Sequence, residues 1–466
     1  MIGPRYDLAV IGAGSAAFAS AIRARSLGAH VALIERGTVG GTCVNVGCIP
    51  SKHLLAASHA YRAAGAHPFA GVKTRRAGVA FSALVEQKRR VVDDLRAEKY
   101  EDVATYHGVE IIRGHATFDG PDRLDVDGRA IAAARIVIAT GSAPWIPPID
   151  GVDVAGYLTS TTAMQLSDLP ESLVVIGGNY IGLELGQMFA DLGTNVTIVE
   201  ALDRIAPLEE PEISEAMTQI LREQGVNVIA SATVSRIESG RQKTVVADTS
   251  MGEVRVTSDE ILMATGRKPV IDGLSLEKAG VELDDQGDLV LDDTLRTTNP
   301  NVFAAGDVTG APQFVYVAAA QGTLAAENAV TDRRGVMDYT ALPRVTFTSP
   351  NIASVGLTDE QARVAGHDCE CRVLALDHVP RARVNLDTRG LIKIVADRQS
   401  GRVLGIHVLG ENAGDVILSC VYAVKYGLTV DDVADTWAPY LTMAEGVKLA
   451  AQTFTRDVST LSCCAA

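Results

Sequence analysis

The sequence predicts an α/β protein with two Rossmann-like dinucleotide-binding domains. A glycine-rich turn follows the apolar strand Leu8 to Ile11, and the same pattern of strand, turn, helix and strand returns from Ser172. In each unit an acidic residue, Glu35 or Glu200, lies 23 residues after the first glycine of the turn. An acid at that position ends the second strand and can hold a ribose hydroxyl. The length of 466 residues leaves room for about three domains.

The composition and charge of the chain restrict its classes of partner. Hydrophobic residues make up 47% of the chain and the net charge is −15, which argues against nucleic acid or an anionic membrane as a partner. The seven cysteines are odd in number, unlike a secreted disulfide framework. The first strand begins near Tyr6, and no apolar run reaches the roughly 18 residues of a membrane span. We therefore expect a cytoplasmic protein that binds small molecules.

In the first unit, each small residue of the turn has its own task. Gly12 permits the tight turn, and Gly14 lets the backbone approach a pyrophosphate at the helix N-terminus. Ala17 occupies the position where helix and strand pack closely. Glu35 then ends the second strand. The complete context of strand, helix and acid distinguishes this unit from an ordinary glycine-rich turn.

The second unit departs from the pattern at one position. Gly177 and Gly182 are present, but Asn179 stands at the second glycine position and narrows the approach of the backbone to a phosphate. Glu200 suits a free ribose 2′-hydroxyl and favours NADH. Arg204 lies close enough in sequence to leave NADPH open.

Three further runs end apolar strands with chemically useful residues. IVIATGSAP carries Thr140 and Gly141, and ILMATGRKP carries Gly266 in the equivalent position. In NVFAAGDVTG, Asp307 follows a strand and precedes a helical stretch, Val315 to Val330. A carboxylate there can accept hydrogen bonds from the sugar-alcohol chain of a cofactor, with a helix N-terminus nearby for phosphate. A simple helix cap is the alternative for Asp307.

A cysteine pair follows the first unit in the run GGTCVNVGCIPSK. On a regular helix, Cys43 and Cys48 would be separated by about 7.5 Å along the axis alone, beyond the reach of a disulfide. A bridge therefore needs a distorted segment, which the neighbouring glycines and Pro50 permit. A helix start and Lys52 would lower a thiol pKa, as suits a redox centre. Metal binding and two inert buried thiols are the alternatives.

Together these runs resemble the FAD-dependent pyridine nucleotide-disulfide oxidoreductases, such as glutathione reductase and dihydrolipoamide dehydrogenase. The resemblance covers nearly the whole chain. It implies FAD on the first unit, including Gly41 and Thr42, and a nicotinamide on the second. It also implies an α+β C-terminal dimerisation domain that completes the active site of the partner in a homodimer. The implied boundaries are an FAD-binding domain at 1–150 and 273–340, an NAD(P)-binding domain at 151–272 and a dimerisation domain at 341–466.

The same resemblance implies roles for five residues near the flavin. Cys43 and Cys48 match the redox-active disulfide, with Cys48 facing the flavin and Cys43 meeting the substrate. Lys52 and Glu184 match an ion pair beside the flavin ring. Tyr180 matches the residue that covers the nicotinamide pocket.

The C-terminal region departs from the disulfide reductases of this family. Those enzymes carry a His-Pro pair and a Glu five residues after the His, which protonate the leaving thiol. This chain reads WAPYLTMAE, with Tyr440 in place of the His and Glu445 retained. A phenol titrates near about 10, so Tyr440 is a poor proton shuttle and efficient disulfide reduction is doubtful.

The chain ends with STLSCCAA, which places two thiols side by side. A bridge between Cys463 and Cys464 is disfavoured because adjacent Cα atoms are only about 3.8 Å apart, so both remain available for a soft metal ion. With Tyr440 and the Cys43 and Cys48 pair, this tail is similar to that of the mercury-reducing branch of the family. An incidental pair of cysteines at a frayed end is the alternative.

That resemblance implies reduction of Hg(II) to Hg(0) by NADPH or NADH through FAD. Hg(II) would arrive as a thiol complex, bind Cys463 and Cys464 of one subunit, and pass to Cys43 and Cys48 of the other. Tyr180 and Tyr440 would line the inner site. A disulfide reductase like dihydrolipoamide dehydrogenase and a non-catalytic soft-metal binding protein are the alternatives. The remaining cysteines match no motif, and packing is favoured over metal contact for them: Cys369, Cys371 and Cys420.

Overall fold

The computed structural model describes residues 5–331 and 333–460, with the side chain of Arg5 excluded. This part of the chain forms two compact units. The first combines the chain up to His53 with Ser82–Ile146 and Thr265–Met337. The second combines Leu54–Phe81 and Pro147–Ala264 with the chain from Asp338 onward.

The strands and helices alternate along both units. The strands are β1 (Arg5–Ile11), β2 (Val31–Glu35), β3 (Glu110–Arg113), β4 (Ala116–Gly120), β5 (Arg123–Val126), β6 (Arg129–Ile138), β7 (Ser142–Pro144), β8 (Ser172–Ile176), β9 (Asn195–Val199), β10 (Asn227–Ile229), β11 (Thr233–Glu238), β12 (Lys243–Thr249), β13 (Gly252–Ser258), β14 (Glu260–Met263), β15 (Arg267–Pro269), β16 (Val302–Ala304), β17 (Pro343–Thr346), β18 (Asn351–Gly356), β19 (Cys369–Ala375), β20 (Leu391–Asp397) and β21 (Val403–Gly410). The α-helices are α1 (Ser15–Ser26), α2 (Gly41–Val46), α3 (Cys48–Ala66), α4 (Phe81–Arg96), α5 (Asp102–His107), α6 (Val152–Ala155), α7 (Ser160–Ala163), α8 (Tyr180–Leu192), α9 (Pro211–Glu223), α10 (Leu276–Ala279), α11 (Val315–Thr331), α12 (Asp359–Val364), α13 (Pro380–Val384), α14 (Ala413–Lys425), α15 (Val430–Asp435) and α16 (Glu445–Gln452). A π-helix (Ala97–Glu101) joins α4 to α5, and single 3-10 turns occur at Asp307–Thr309, Leu376–His378 and Val458–Thr460.

The first unit is organised around a seven-stranded sheet. Its order is β3-β2-β1-β6-β5-β4, with β16 also paired to β6. The strands β1, β2, β3, β6 and β16 run parallel to their neighbours in this group, whereas β4 and β5 form an antiparallel extension. Alternate residues of β1 enter apolar clusters on opposite faces of the sheet, with Val10 on one face and Ala9 on the other. Because both faces are covered, the strand reads as one continuous apolar run.

Close packing of α1 against α11 completes one of those faces. The hydroxyl of Ser20 donates a hydrogen bond to the carbonyl of Gly322 at 2.8 Å. A Cβ on Gly322 would lie 2.1 Å from the carbonyl oxygen of Ala16, so only glycine permits this approach. Ala17 is fully buried in the same interface. The small residues therefore hold the N-terminus of α1 above the end of β1.

The second unit contains three sheets. A parallel sheet of order β10-β9-β8-β14 carries α8, and a three-stranded antiparallel sheet of order β11-β12-β13 adjoins it in sequence. A five-stranded antiparallel sheet of order β17-β18-β21-β20-β19 packs against α14 and α16. The predicted α/β class with an α+β C-terminal region is thus confirmed. In the described part of the chain, we find no helix with the length and apolar character needed to cross a membrane.

Candidate active site

The first glycine-rich turn leaves a helix N-terminus open to a phosphate. Gly12 has φ +117°, and a Cβ there would lie 2.3 Å from the carbonyl oxygen of Ala139. A Cβ on Gly41 would lie 2.6 Å from the Cα of Gly14. Within the described residues no side chain caps α1, which begins directly after Gly14. The backbone amides at this end are therefore placed for a pyrophosphate.

An open cleft beside this turn offers a site for the nucleotide end of FAD. It is lined by the first turn, the end of β2 and the crossover segment, including Gly12, Glu35, His115, Thr140 and Val270. The backbone amide of Gly37 donates to the Glu35 carboxylate at 2.6 Å, which orients it. The acid thus stands at a cleft wall, where the sequence places a ribose partner.

Asp307 belongs to a partly buried chain of three hydrogen-bonded side chains. The Ser142 hydroxyl donates to Oδ2 of Asp307 at 2.6 Å. The Arg267 guanidinium donates to the Ser142 hydroxyl at 2.8 Å and to its carbonyl at 2.6 Å. Burial lowers the pKa of Arg267, while Asp307 opposes that shift. Asp307 is the first residue of a 3-10 turn that follows Gly306, and Ser142 holds its carboxylate in place.

Sequence reasoning missed Ser142 and Arg267, although each follows a predicted glycine. Gly141 and Gly266, with φ +72° and +116°, precede β7 and β15. Those two strands pair where the chain leaves the first unit and returns to it. The Thr140 hydroxyl donates to the carbonyl of Val270 at 2.6 Å across the same crossover. The repeated Ala-Thr-Gly signal marked this place but did not identify the side chains that meet there.

The second glycine-rich turn is equally tight. A Cβ on Gly182 would lie 1.9 Å from the carbonyl oxygen of Gly177, which itself has φ +108°. Asn179 precedes α8, and its side-chain oxygen is buried with no hydrogen-bond partner among the described residues. An orphaned acceptor at a helix N-terminus fits a hydroxyl or amide of a bound nicotinamide nucleotide.

Glu200 stands at the end of β9 with its carboxylate oriented. The amides of Gly178 and Leu202 donate to its two oxygens at 2.6 Å and 2.8 Å. Glu200 is 8% exposed, so a 2′-phosphate here would meet a poorly solvated negative charge. Nε of Arg204 is buried without a hydrogen bond among the described residues, which keeps a cation nearby.

The cysteine pair spans a break between two helices. Cys43 lies within α2, and Cys48 is the first residue of the 19-residue α3. Gly47 between them has φ −125° and ψ −109°, outside the helical region. A Cβ on Gly47 would lie 2.9 Å from the carbonyl oxygen of Thr42. The distortion expected from the spacing is therefore present.

The expectation of a lowered thiol pKa is wrong for Cys43. A hydrogen bond to Cys48 is the largest cause that raises the pKa of Cys43, and burial adds to it. Lys52 on α3 acts in the opposite direction but does not reverse the shift. The Cys43 thiol is therefore a weaker acid than a free cysteine thiol. Cys48, at the N-terminus of a long helix, is the sulfur placed to carry negative charge.

Tyr100 is a further residue near the dithiol that the sequence did not indicate. It lies in the π-helix and packs edge-to-face on Phe18, with ring centroids 4.9 Å apart. Burial raises the pKa of Tyr100, and the charges of Cys43 and Cys48 raise it further. No sequence motif predicts the π-helix that carries Tyr100, although short π-helical segments are frequent at functional sites.

Tyr180 and Glu184 lie on the first two turns of α8. Burial raises the pKa of Tyr180 to about 12, with Glu209 adding to the shift and Arg344 opposing it. The phenol therefore stays protonated at neutral pH. Glu184 is 6% exposed and accepts a hydrogen bond from the amide of Phe347 at 2.9 Å. Its ion pair with Lys52 stays a prediction.

Tyr440 and Glu445 flank a turn that leads into α16. Tyr440 is 49% exposed, whereas Glu445 is 7% exposed. The amide of Leu441 donates to the Glu445 carboxylate at 3.3 Å. Burial raises the pKa of Glu445, while this hydrogen bond and Lys448 act against the shift. The acid thus contacts the backbone beside Tyr440.

The other cysteines divide into packing residues and residues outside the described chain. Burial raises the pKa of Cys369, and it is the largest cause that raises the pKa of Cys371 to about 12 and that of Cys420 to about 12. In residues 5–331 and 333–460, no group of three or more His, Cys, Asp or Glu residues could hold a metal ion. Cys463 and Cys464 lie outside these described residues.

Two family descriptions and several known proteins match this chain. Residues 6–322 match "Pyridine nucleotide-disulphide oxidoreductase", and residues 342–451 match its dimerisation domain. The chain is 52% identical to a mercuric reductase of Streptomyces lividans over 99% of this chain and 98% of that protein. It is 50% identical to a mercuric reductase of Bacillus cereus over 99% of this chain and 73% of that protein.

A solved structure shares the fold over nearly the whole length. The HOCl-induced flavoprotein disulfide reductase RclA from Escherichia coli is 32% identical, covers 97% of this chain and 100% of its own, and has a TM-score of 0.86. Sequence motifs, sheet order and these similarities agree. The chain belongs to the pyridine nucleotide-disulphide oxidoreductase family.

Proposed function

We propose that this protein is an FAD-dependent mercury(II) reductase that uses NADPH or NADH. The observation that carries the proposal is the 52% identity to a mercuric reductase over 99% of the chain. The site supports it, because a dithiol pair is combined with Tyr440 where disulfide reductases of the family have a histidine. The overall reaction converts Hg(II) and NAD(P)H to Hg(0), NAD(P)⁺ and one proton.

The first unit offers a fitting cradle for FAD. Gly12 and Gly14 leave the end of α1 open, where the pyrophosphate would bind, and Glu35 lies at the nucleotide cleft. Arg267 and Ser142 hold Asp307, whose carboxylate would accept hydrogen bonds from the sugar-alcohol chain. When bound, FAD supplies two-electron transfer between the nicotinamide, the cysteine pair and the metal. The protein contributes orientation and the metal-binding sulfurs.

Cys43 and Cys48 bind the substrate by thiol exchange. Each sulfur forms a bond to Hg(II) while one incoming thiolate leaves, so the coordination number of the metal is preserved. Cys43, which the family resemblance assigns to the substrate, forms the first bond, and Cys48, whose position at the start of α3 favours negative charge, forms the second. The Cys43 thiol gives up its proton as its bond to the metal forms, and that proton passes to a departing thiolate. Two protein sulfurs thus replace two carrier sulfurs.

The phenols and the C-terminal pair act around this exchange. Tyr180 remains neutral at physiological pH because of its raised pKa, so it covers the nicotinamide site without adding charge. In a homodimer, Tyr440 and the thiols of Cys463 and Cys464 from the second subunit deliver Hg(II) to the dithiol. The family's dimerisation domain spans residues 342–451 and supports this arrangement.

The direct test is NAD(P)H oxidation that depends on Hg(II) in the presence of excess thiol. Wild type should show it, the Cys43→Ala variant should lose it, and evolved Hg(0) should match the NAD(P)H consumed. The proposal is refuted if the wild-type protein shows no Hg(II)-dependent oxidation of NAD(P)H, or if the Cys43→Ala variant retains this activity. Titrating the reduced enzyme with Hg(II) should also abolish the thiolate-to-flavin absorption band if the metal binds Cys48.

The tail and the cellular location are tested separately. Removing residues 463–466 should slow turnover mainly when Hg(II) is supplied as a tightly held thiol complex, because exchange then needs an entering thiol pair. An equal rate would show that the tail takes no part in metal transfer.

We propose a cytoplasmic location for the protein. Fractionation of the cells that produce it, with a periplasmic marker protein as the reference, tests this location.

Disulfide reduction is the second candidate function, favoured by the dithiol pair and by the likeness to a flavoprotein disulfide reductase. Tyr440 argues against it, because no imidazole stands there to protonate the leaving thiol. Turnover with lipoamide or glutathione disulfide, at a rate above that with Hg(II), would favour this candidate.

A further inference from the structure

The turn that presents Tyr440 is tied at two points. Leu441 has φ +58°, in the left-handed region that disfavours branched residues. Its amide donates to Oε2 of Glu445 at 3.3 Å, and the hydroxyl of Thr442 donates to the carbonyl of Pro439 at 2.8 Å. These bonds hold the backbone on both sides of the position where the Tyr440 side chain departs.

Glu445 is anchored on the domain core. It is the first residue of the eight-residue helix α16 and is 7% exposed. Met443, two residues earlier, is buried in the apolar cluster of the C-terminal sheet. The carboxylate therefore occupies a fixed place, while Tyr440 is 49% exposed. A fixed acceptor opposite a left-handed residue stabilises a backbone shape that Leu441 would otherwise leave.

The geometry leaves Glu445 a different task from the one that its counterpart has in disulfide reductases. There the acid serves an imidazole five residues earlier. Here that residue is Tyr440, and the carboxylate accepts a hydrogen bond from the backbone amide of Leu441. Lys448 is the charged side chain that acts on it electrostatically. The acid is therefore employed in holding the turn.

We infer that Glu445 is a positioning residue whose carboxylate holds Leu441 in its left-handed conformation and thereby sets the direction of Tyr440 for metal transfer. The inference rests on the proposed function, because Tyr440 acts on Hg(II) only in that reaction. What Glu445 contributes is a hydrogen-bond acceptor. Its charge and its proton are not used.

A matched pair of variants separates an acceptor from an acid. Glu445→Gln keeps the length of the side chain and an acceptor oxygen, whereas Glu445→Met keeps the length alone. The Gln variant should stay within about twofold of wild type in kcat/KM for Hg(II), with the same pH profile, because the backbone bond persists. The Met variant should lose about tenfold, because the Leu441 amide loses its acceptor.

Controls make the outcomes distinct. Both variants should form the reduced dithiol with NAD(P)H as wild type does, since that step does not involve this turn. Glu360→Met, at an exposed acid in the first turn of α12, should match wild type. If Glu445→Met does not fold, Glu445→Asp replaces it, because its shorter side chain withdraws the acceptor.

Two results overturn the inference. The first is an equal loss of kcat/KM in Glu445→Gln and in the variant that lacks the acceptor, Glu445→Met or Glu445→Asp. Loss of one limb of the pH profile in Glu445→Gln has the same meaning, because both observations assign the role of Glu445 to its proton. The second is wild-type kcat/KM in all Glu445 variants, which shows that Glu445 does not position Tyr440. Both results require an active wild type, whereas an inactive wild type refutes the proposed function itself.

Discussion

A hydrogen bond with Cys48, across the helix break at Gly47, raises the pKa of the Cys43 thiol, and burial adds to the shift. The two cysteines are consequently unequal before any substrate arrives. Cys43 has a raised pKa, whereas Cys48 lies at the start of α3, where the helix dipole favours a negative charge. A pair with this asymmetry can attack a thiol-bound metal with one sulfur and release a proton from the other.

Removal of the hydrogen-bond partner should make Cys43 more reactive. In Cys48→Ala the largest cause of the raised pKa of Cys43 is gone, so its thiolate fraction at pH 8 rises. We expect alkylation of Cys43 by iodoacetamide to accelerate about tenfold relative to the reduced wild type. Mass spectrometry of the modified peptide measures it. An unchanged rate of Cys43 alkylation would show that the hydrogen bond with Cys48 is not what raises the pKa of Cys43.

The relay through Ser142 should contribute to retention of FAD. Ser142→Ala removes the donor to Asp307 and leaves the buried Arg267 guanidinium without its side-chain acceptor. We expect the Kd of the apoprotein for FAD to rise about tenfold or more. Quenching of flavin fluorescence gives the Kd. Ser142→Thr, which keeps the hydroxyl, is the control and should bind as wild type does.

The nicotinamide preference should depend on Glu200. Its carboxylate is held by two backbone amides at the end of β9, where a 2′-phosphate would be repelled. Glu200→Gln removes that charge with little change of shape. We expect the ratio of kcat/KM for NADPH to that for NADH to rise about tenfold. A ratio equal to that of wild type would show that Glu200 does not face the ribose.

Asp191 should make the stability of the protein depend on pH. Burial raises the pKa of Asp191 to about 6, with Arg62 opposing the shift, and the two side chains are 3.6 Å apart. The folded state binds the proton more tightly than the unfolded state. The stabilisation is therefore complete below about pH 4 and is lost as the pH rises to about 6.

The Asp191→Asn variant lacks this titration. Relative to wild type, its free energy of unfolding should increase by up to about 3 kcal/mol between pH 4 and pH 7. Urea unfolding of both proteins at several pH values measures the difference. A constant offset, as expected from loss of the Arg62 contact alone, would contradict the raised pKa.

The cysteines of the C-terminal sheet and helix should be dispensable for turnover. Burial is the largest cause that raises the pKa of Cys371 and of Cys420 to about 12, which keeps both protonated and poorly able to bind Hg(II). Cys371→Ser and Cys420→Ala should therefore retain mercury-dependent turnover within about twofold. Steady-state assays with excess thiol check this, and a loss of tenfold in a folded variant would indicate a metal-transfer role.

The C-terminal region shows how far sequence reasoning extends. Tyr440 stood out because it replaces a histidine in an otherwise familiar run, and Glu445 because it remained. Their sequence spacing did not reveal that the acid contacts the amide of Leu441. That contact depends on the left-handed conformation of Leu441. A leucine does not predict this conformation, because leucine rarely adopts it.

The two βαβ units, the glycines of their turns and the position of the cysteine pair can be recognised from the amino-acid sequence alone. Those features are local, because a tight turn or a helix break is encoded within a few neighbouring residues. The raised pKa of Cys43 and the hydrogen bonds that link Arg267 to Asp307 through Ser142 become visible only in the folded chain. Burial and hydrogen bonding between residues distant in the chain set those properties, since both depend on which groups the fold brings together.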